Sequence, residues 1–143
     1  MTRRQRTETL VRGNTALAAE LAAEVRNHHE VRIIQAPEEG MVMTTMRESA
    51  RESLFHLGEV LVTEARVTVD GVLGLGLVRQ SQQDLALDLA CIDAACNAQS
   101  PLEAGWEQAL QAAWTALQAQ DLQTFSQVLA TRVAFDSMDR TTS

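Results

Sequence analysis

The run DGVLGLG places Gly71, Gly74 and Gly76 within six residues, a spacing that invites comparison with a phosphate-binding loop. A dinucleotide-type loop needs G-x-G-x-x-G between a strand and a helix, so that backbone amides and the helix N-terminus face the anion. Here the order is G-x-x-G-x-G, filled by Val72, Leu73 and Leu75, and no Lys-Ser or Lys-Thr follows, which also removes a nucleoside-triphosphatase loop. The flanking runs TEARVTV and VLGLGLV are strand-like, and Asp70-Gly71 is a two-residue hairpin turn. The glycines therefore read as a hairpin. In strand positions they mark close approach by another element.

The other reactive side chains form no constellation of nucleophile, base and metal. His28 and His29 sit at the end of a helical segment, about 100 degrees apart around its axis, and serve better as cations near a C-terminus than as joint ligands. His56 is alone in a strand region and reads as a hydrogen-bonded structural residue. Glu38 and Glu39 are adjacent in an extended chain, so their carboxylates point opposite ways, as in a solvated turn. Asp93 flanks an apolar stripe with no basic residue nearby in sequence; if buried, it needs a partner from elsewhere in the chain, because an unpaired buried carboxylate is costly. Cys91 and Cys96 are five apart, which fits neither C-x-x-C redox spacing nor paired zinc ligands, and they read as small core residues. No catalytic residue and no metal site is expected.

The elements that position these residues follow from periodicity. Over residues 1–30 the pattern is helical, with Leu17, Leu21 and Val25 on one face and Asn14 or Thr15 as cap after Gly13. VRIIQA and GMVMTTM read as two strands separated by Pro37 and Gly40. MRESARES reads as an exposed connection, and LFHLGEVLVTEARVTV as a strand bent at Gly58. With the hairpin strand this gives about four antiparallel strands over residues 31–79. If Asp70 and Gly71 are the turn, Val69 faces Val72, Val67 faces Gly74 and Ala65 faces Gly76 on one side. Leu73, Leu75 and Leu77 share the other side with Thr68, Arg66 and Glu64. Both faces are then apolar, so helices should cover one and something else much of the other; a bulge at the turn would instead restore one-sided alternation. Over residues 82–138 the period is helical again. Leu85, Leu89, Ile92 and Cys96 form one stripe and Leu87, Ala90, Cys91 and Ala94 a second, with Asp84 and Asp88 on the wet edge. Ser100-Pro101-Leu102-Glu103 is a capping box opening a helix with face Leu102, Trp106, Ala109, Ala113 and Leu117, and Asp121 caps a last helix with face Leu122, Phe125, Leu129 and Val133. The expected class is α+β, one domain over 1–143, with a small antiparallel sheet packed by N-terminal and C-terminal helices.

A chain of 143 residues can bury a core without disulfides or a structural metal. Net charge is −7, and residues 80 to 131 carry six acids and no base, which argues against nucleic-acid binding on that part. All twelve basic residues are Arg. No apolar run follows MTRRQR and no stretch is long enough to span a bilayer, so a cytoplasmic protein without a membrane partner is expected.

The ordered pieces EEGMVM, FHLGEVLVTEARV, DGVLG, ALDLACIDAA and the terminal TRVAFDSM resemble the PhnG family, a subunit of the bacterial carbon-phosphorus lyase system, over nearly the whole chain. The family's motif positions fall on Glu39, Gly40, Arg47, Phe55, Gly58, Glu59, Thr63, Gly71, Gly74 and Asp93. Three departures accompany the match: ESARES stands where a glycine-rich segment is usual, Gln80-Ser81 where Gly-Arg is usual, and Thr7 where tryptophan is often found. The resemblance implies a subunit that supports formation of α-D-ribose 1-methylphosphonate 5-triphosphate from MgATP and methylphosphonate. Its partners would be PhnI and PhnH, assisted by PhnL, in a core assembly where PhnJ breaks the carbon-phosphorus bond. MgATP would be a substrate of the complex, with no cofactor held by this chain alone. The motif positions would be interface or ligand contacts. The rival reading is a self-sufficient homo-oligomeric module for a small anion, using Arg47, Arg51, Arg66 and Arg79.

Overall fold

The structure, a computed structural model, describes the backbone at residues 1–47 and 54–142 and the side chains at residues 1–43 and 58–132. The order is α1 (Arg3–Glu8), a π-helical turn (Thr9–Gly13), α2 (Thr15–His28), β1 (Val31–Arg47), β2 (Leu54–Val69), β3 (Val72–Arg79), α3 (Gln83–Asn97) and α4 (Leu102–Thr142). The class is the expected α+β. Local chemistry sets the helix starts. Thr2 and Gln5 cap α1 reciprocally, through Gln5 N to Thr2 Oγ1 at 3.1 Å and Thr2 N to Gln5 Oε1 at 2.9 Å. Asn14 caps α2, its Oδ1 accepting Leu17 N–H at 3.0 Å.

Among the described residues the sheet has three antiparallel strands in the order β1-β2-β3, one fewer than expected. VRIIQA and GMVMTTM are a single strand, β1, with Pro37 and Gly40 inside it. An edge strand can hold a proline because its missing N–H deprives no neighbour. Register shifts between Ile33 and Gln35, and between Gln35 and Glu38, absorb the irregularity. A further shift pairs Thr44 with Gly58 and Thr45 with His56, so the bend expected near Gly58 is a bulge. Residues 48–53 of the expected connection, Arg51 among them, lie outside the described residues.

The hairpin has the expected register: Val69 opposite Val72, Val67 opposite Gly74, Ala65 opposite Gly76. Both turn residues take positive φ, Asp70 at 50° and Gly71 at 85°, the turn whose twist suits two strands. Ala65, Val67, Val69 and Val78 are buried beneath α3, together with Leu85, Ala86, Leu89, Ala90, Ile92 and Ala94. Both cysteines are free thiols; Cys91 is buried in the core as expected, while Cys96 is only half-buried at its margin. On the opposite face Leu73, Leu75 and Leu77 remain 51%, 37% and 46% exposed. The helices cover one side and nothing within the described residues covers the other.

The C-terminal region differs from expectation in two ways. Residues 102–142 form one helix of 41 residues, where two were expected, and Asp121 lies inside it. The stretch ALQAQDLQ has no Gly or Pro and strong helix formers on either side of Asp121. Asp121 binds Arg12 at 2.8 Å instead of capping a new helix. The buried face is also shifted: Leu110 is buried and Ala109 exposed, because Trp106, Leu110 and Leu117 keep the 3.6-residue period. Beyond Leu117, Leu122, Phe125 and Leu129 are exposed, while the Val133 side chain lies outside the described ones.

The seam between α3 and β3 is backbone on backbone. A Cβ at Gly74 would overlap Ala94 N and Ala90 O, and one at Gly76 would overlap Ala86 O. Gly74→Val should therefore cost about 3 kcal/mol, the upper end for overpacking, since a whole helix must move. Gly40→Ala, whose Cβ would meet nothing within 4 Å, should stay within about 0.5 kcal/mol. Urea denaturation of the three proteins measures both; equal midpoints would refute the seam.

Candidate functional site

Asp93 projects from α3 at the free edge of β3, 5% exposed. Its Oδ2 accepts Leu75 N–H at 2.9 Å and Arg3 Nη2–H at 2.7 Å, and its Oδ1 accepts Arg6 Nη2–H at 3.1 Å. The distant partner that a buried Asp93 requires is thus the N-terminal helix. One residue pair along, Asn97 Nδ2 donates to Leu73 O at 3.0 Å. In an antiparallel ladder alternate residues turn their polar backbone groups outward. Asp93 and Asn97 therefore satisfy groups that would otherwise invite another strand.

Thr63 secures the opposite end of the same crossing. It is fully buried; its hydroxyl donates to Gln80 O at 2.6 Å and accepts Gln82 N–H at 3.2 Å. Gln80 stands at φ 65°, a left-handed conformation that favours glycine. Glu39 on β1 accepts a hydrogen bond from Ser81.

A third cluster escaped the sequence reading. His29 Nδ1 lies 2.6 Å from Asp70 Oδ2, and its Nε2 2.7 Å from Ser100 Oγ. The connectivity is that of a hydrolase relay. Ser100, however, is buried and caps α4, its Oγ accepting Leu102 N–H at 3.2 Å. A neutral ring with its proton on Nδ1 donates to Asp70 and accepts the Ser100 hydroxyl, so the cluster ties the end of α2, the hairpin turn and the start of α4 together. His28, by contrast, folds back on Glu24 O at 2.9 Å. The capping box in the sequence located Ser100, but no local signal linked it to His29.

The motif positions thus fall into two groups. Thr63, Gly71, Gly74 and Asp93 build the hairpin and its seam with α3. Arg47, Phe55, Gly58 and Glu59 lie on the two-stranded ribbon formed by β1 and β2 beyond the last β3 pair, Val62 with Arg79, and Gly40, opposite Val62, stands at its base. Glu39 sits at the junction. The side chains of Arg47, Phe55 and His56 are outside the described ones. On this ribbon Met41, Val42, Met43 and Leu61 are all exposed.

The arginines of the anion reading do not converge where they are described: Arg66 is held by Glu64 at 2.9 Å, opposite Leu75, while Arg79 is opposite Val62. Burial raises both thiols, Cys96 to about 11, which keeps them protonated near neutral pH. Among the described residues no group of three or more His, Cys, Asp or Glu converges, and no helix is long and apolar enough to cross a membrane.

A family model described as phosphonate metabolism protein PhnG matches residues 1–141. No curated protein matches the chain.

Two outcomes test these clusters. Asp93→Ala should cost about 2–3 kcal/mol in urea denaturation, since two guanidinium groups and a backbone donor lose their acceptor, with the exposure of Arg3 moderating the loss. Asp93→Asn, which keeps an acceptor for Leu75, should cost less and preserve slow amide exchange there; fast exchange in Asn would contradict the assignment. The second outcome is pH dependence. His29 and then Glu30 N–H hold the Asp70 carboxyl below its usual range. Its folded-state value is depressed, so its contribution is present above the ordinary carboxylate range and lost as pH falls through the folded value. Asp70→Asn, which keeps a good turn sequence, should be less stable than the parent at neutral pH and converge with it in acid. A constant difference across the pH series would refute the charge role.

Proposed function

This chain belongs to the PhnG family of phosphonate metabolism proteins, and from that premise we propose that it is a structural subunit of a phosphonate-degrading assembly. In this reading it supports formation of α-D-ribose 1-methylphosphonate 5-triphosphate from MgATP and methylphosphonate, together with PhnI, PhnH and PhnL, within a core that includes PhnJ. The observation that carries the reading is the ribbon. A two-stranded ribbon is marginal in water by itself, and this one exposes Met41, Val42, Met43 and Leu61 past the helical layer. The exposed distal half of α4, with Leu122, Phe125, Val128 and Leu129, repeats the pattern at another corner. Apolar surfaces of this kind mark interaction sites. Family-motif positions on the ribbon, Gly58 and Glu59 among them, would then serve partner contact, and those on the seam would hold the ribbon's base in place.

Deleting the gene should abolish growth on methylphosphonate as sole phosphorus source and leave growth on phosphate intact, and the tagged chain should co-purify with its partner subunits. Met41→Asp with Met43→Asp should abolish co-purification while leaving the thermal midpoint of the isolated chain little changed, because both side chains are already in water. Normal growth on both phosphorus sources, or MgATP turnover by the purified chain alone, would overturn the reading.

A further inference from the structure

A groove of about 1040 Å³ runs between the N-terminal helical segment and the free edge of β3, lined by Arg3, Arg4, Arg12, Arg79, Leu75 and Leu77. Its charge runs against that of the chain as a whole, which is −7. Two of the arginines are already engaged: Arg3 by Asp93, and Arg12 by Glu8 and Asp121. Arg4 and Arg79 are exposed, and neither guanidinium has a hydrogen bond or ion pair among the described residues. The floor between them is apolar, with Leu75 and Leu77 open to water.

We infer that this groove docks an acidic, amphipathic segment of a partner protein, with carboxylates on Arg4 and Arg79 and apolar side chains on Leu75 and Leu77. The inference rests on the assembly reading above and adds the chemistry of the partner. A small polyanion would satisfy the guanidinium groups and leave the leucines in water. A purely apolar partner would bury two arginines without counter-charge, which is costly. An acidic amphipathic segment meets both demands. Charges at the rim of such a contact act mainly on association rate and salt dependence, and the apolar floor on residence time.

The test uses the full chain and two labelled peptides of equal length and leucine pattern, one with glutamate on its polar side and one with lysine. Fluorescence anisotropy should show that the glutamate peptide binds, more weakly as salt rises, and that the lysine peptide does not. Arg4→Glu with Arg79→Glu should reduce the affinity about tenfold or more. Leu77→Asn should reduce it while leaving the salt dependence unchanged. Neither pair of side chains is buried, so an unchanged thermal midpoint serves as the control. Equal binding of both peptides, indifference to the arginine double variant, or displacement by MgATP with Leu77→Asn without effect would overturn the inference. Co-purification of the parent chain with its partner subunits reads the assembly proposal separately, so either can fail while the other stands.

Discussion

Between α3 and β3 there is no room for a side chain, and this close approach governs the rest of the molecule. Gly74 and Gly76 present bare backbone to the row Ala86, Ala90 and Ala94, spaced one helical turn apart. Small residues on both surfaces let the helix sink onto the strand, which brings Asp93 within reach of the strand's outward N–H at Leu75. Because Asp93 is then buried, its charge must be matched, and Arg3 and Arg6 draw the N-terminal helix against the same edge. A larger residue at either glycine would separate the layers and leave a carboxylate, two guanidinium groups and a backbone donor poorly paired.

Satisfying that edge has a consequence on the far side of the sheet. The alternation that turns Gly74 and Gly76 toward α3 turns Leu73, Leu75 and Leu77 outward, and no second layer of this chain lies over them among the described residues. The ribbon of β1 and β2 and the distal part of α4 extend the same imbalance. The compact part is self-sufficient in hydrogen bonding, with no buried polar side-chain atom unpartnered among the described residues. The extensions carry exposed apolar groups instead. That division between a hydrogen-bonded core and arms with apolar groups in water is the feature on which the proposed subunit role rests.

Much of this was legible in local sequence. Asp70-Gly71 dictates a two-residue turn, that turn fixes the register, and the register assigns every hairpin residue to a face, because side chains alternate with a period of two. Asn14, the serine of SPLE and the Leu17, Leu21 and Val25 stripe located helix starts and faces for similarly local reasons. Asp93 could be identified as a residue in need of a partner from its setting alone. Where local signals compete, tertiary context chose: Pro37 does not end β1, because an edge strand tolerates a missing donor, and Asp121 does not start a helix, because Arg12 offers it another partner.

The hairpin, the faces of its strands and the family resemblance were all readable from residue order, since these depend on residues a few positions apart or on motifs kept in sequence. It took the three-dimensional arrangement to bring Arg3 and Arg6 to Asp93 across some ninety residues, to join His29 to Asp70 and Ser100, and to set Arg4 and Arg79 along one groove beside two leucines. Such pairings depend on how helices settle on a sheet. That settling is fixed by the summed volumes of many side chains, and no short stretch of sequence contains it.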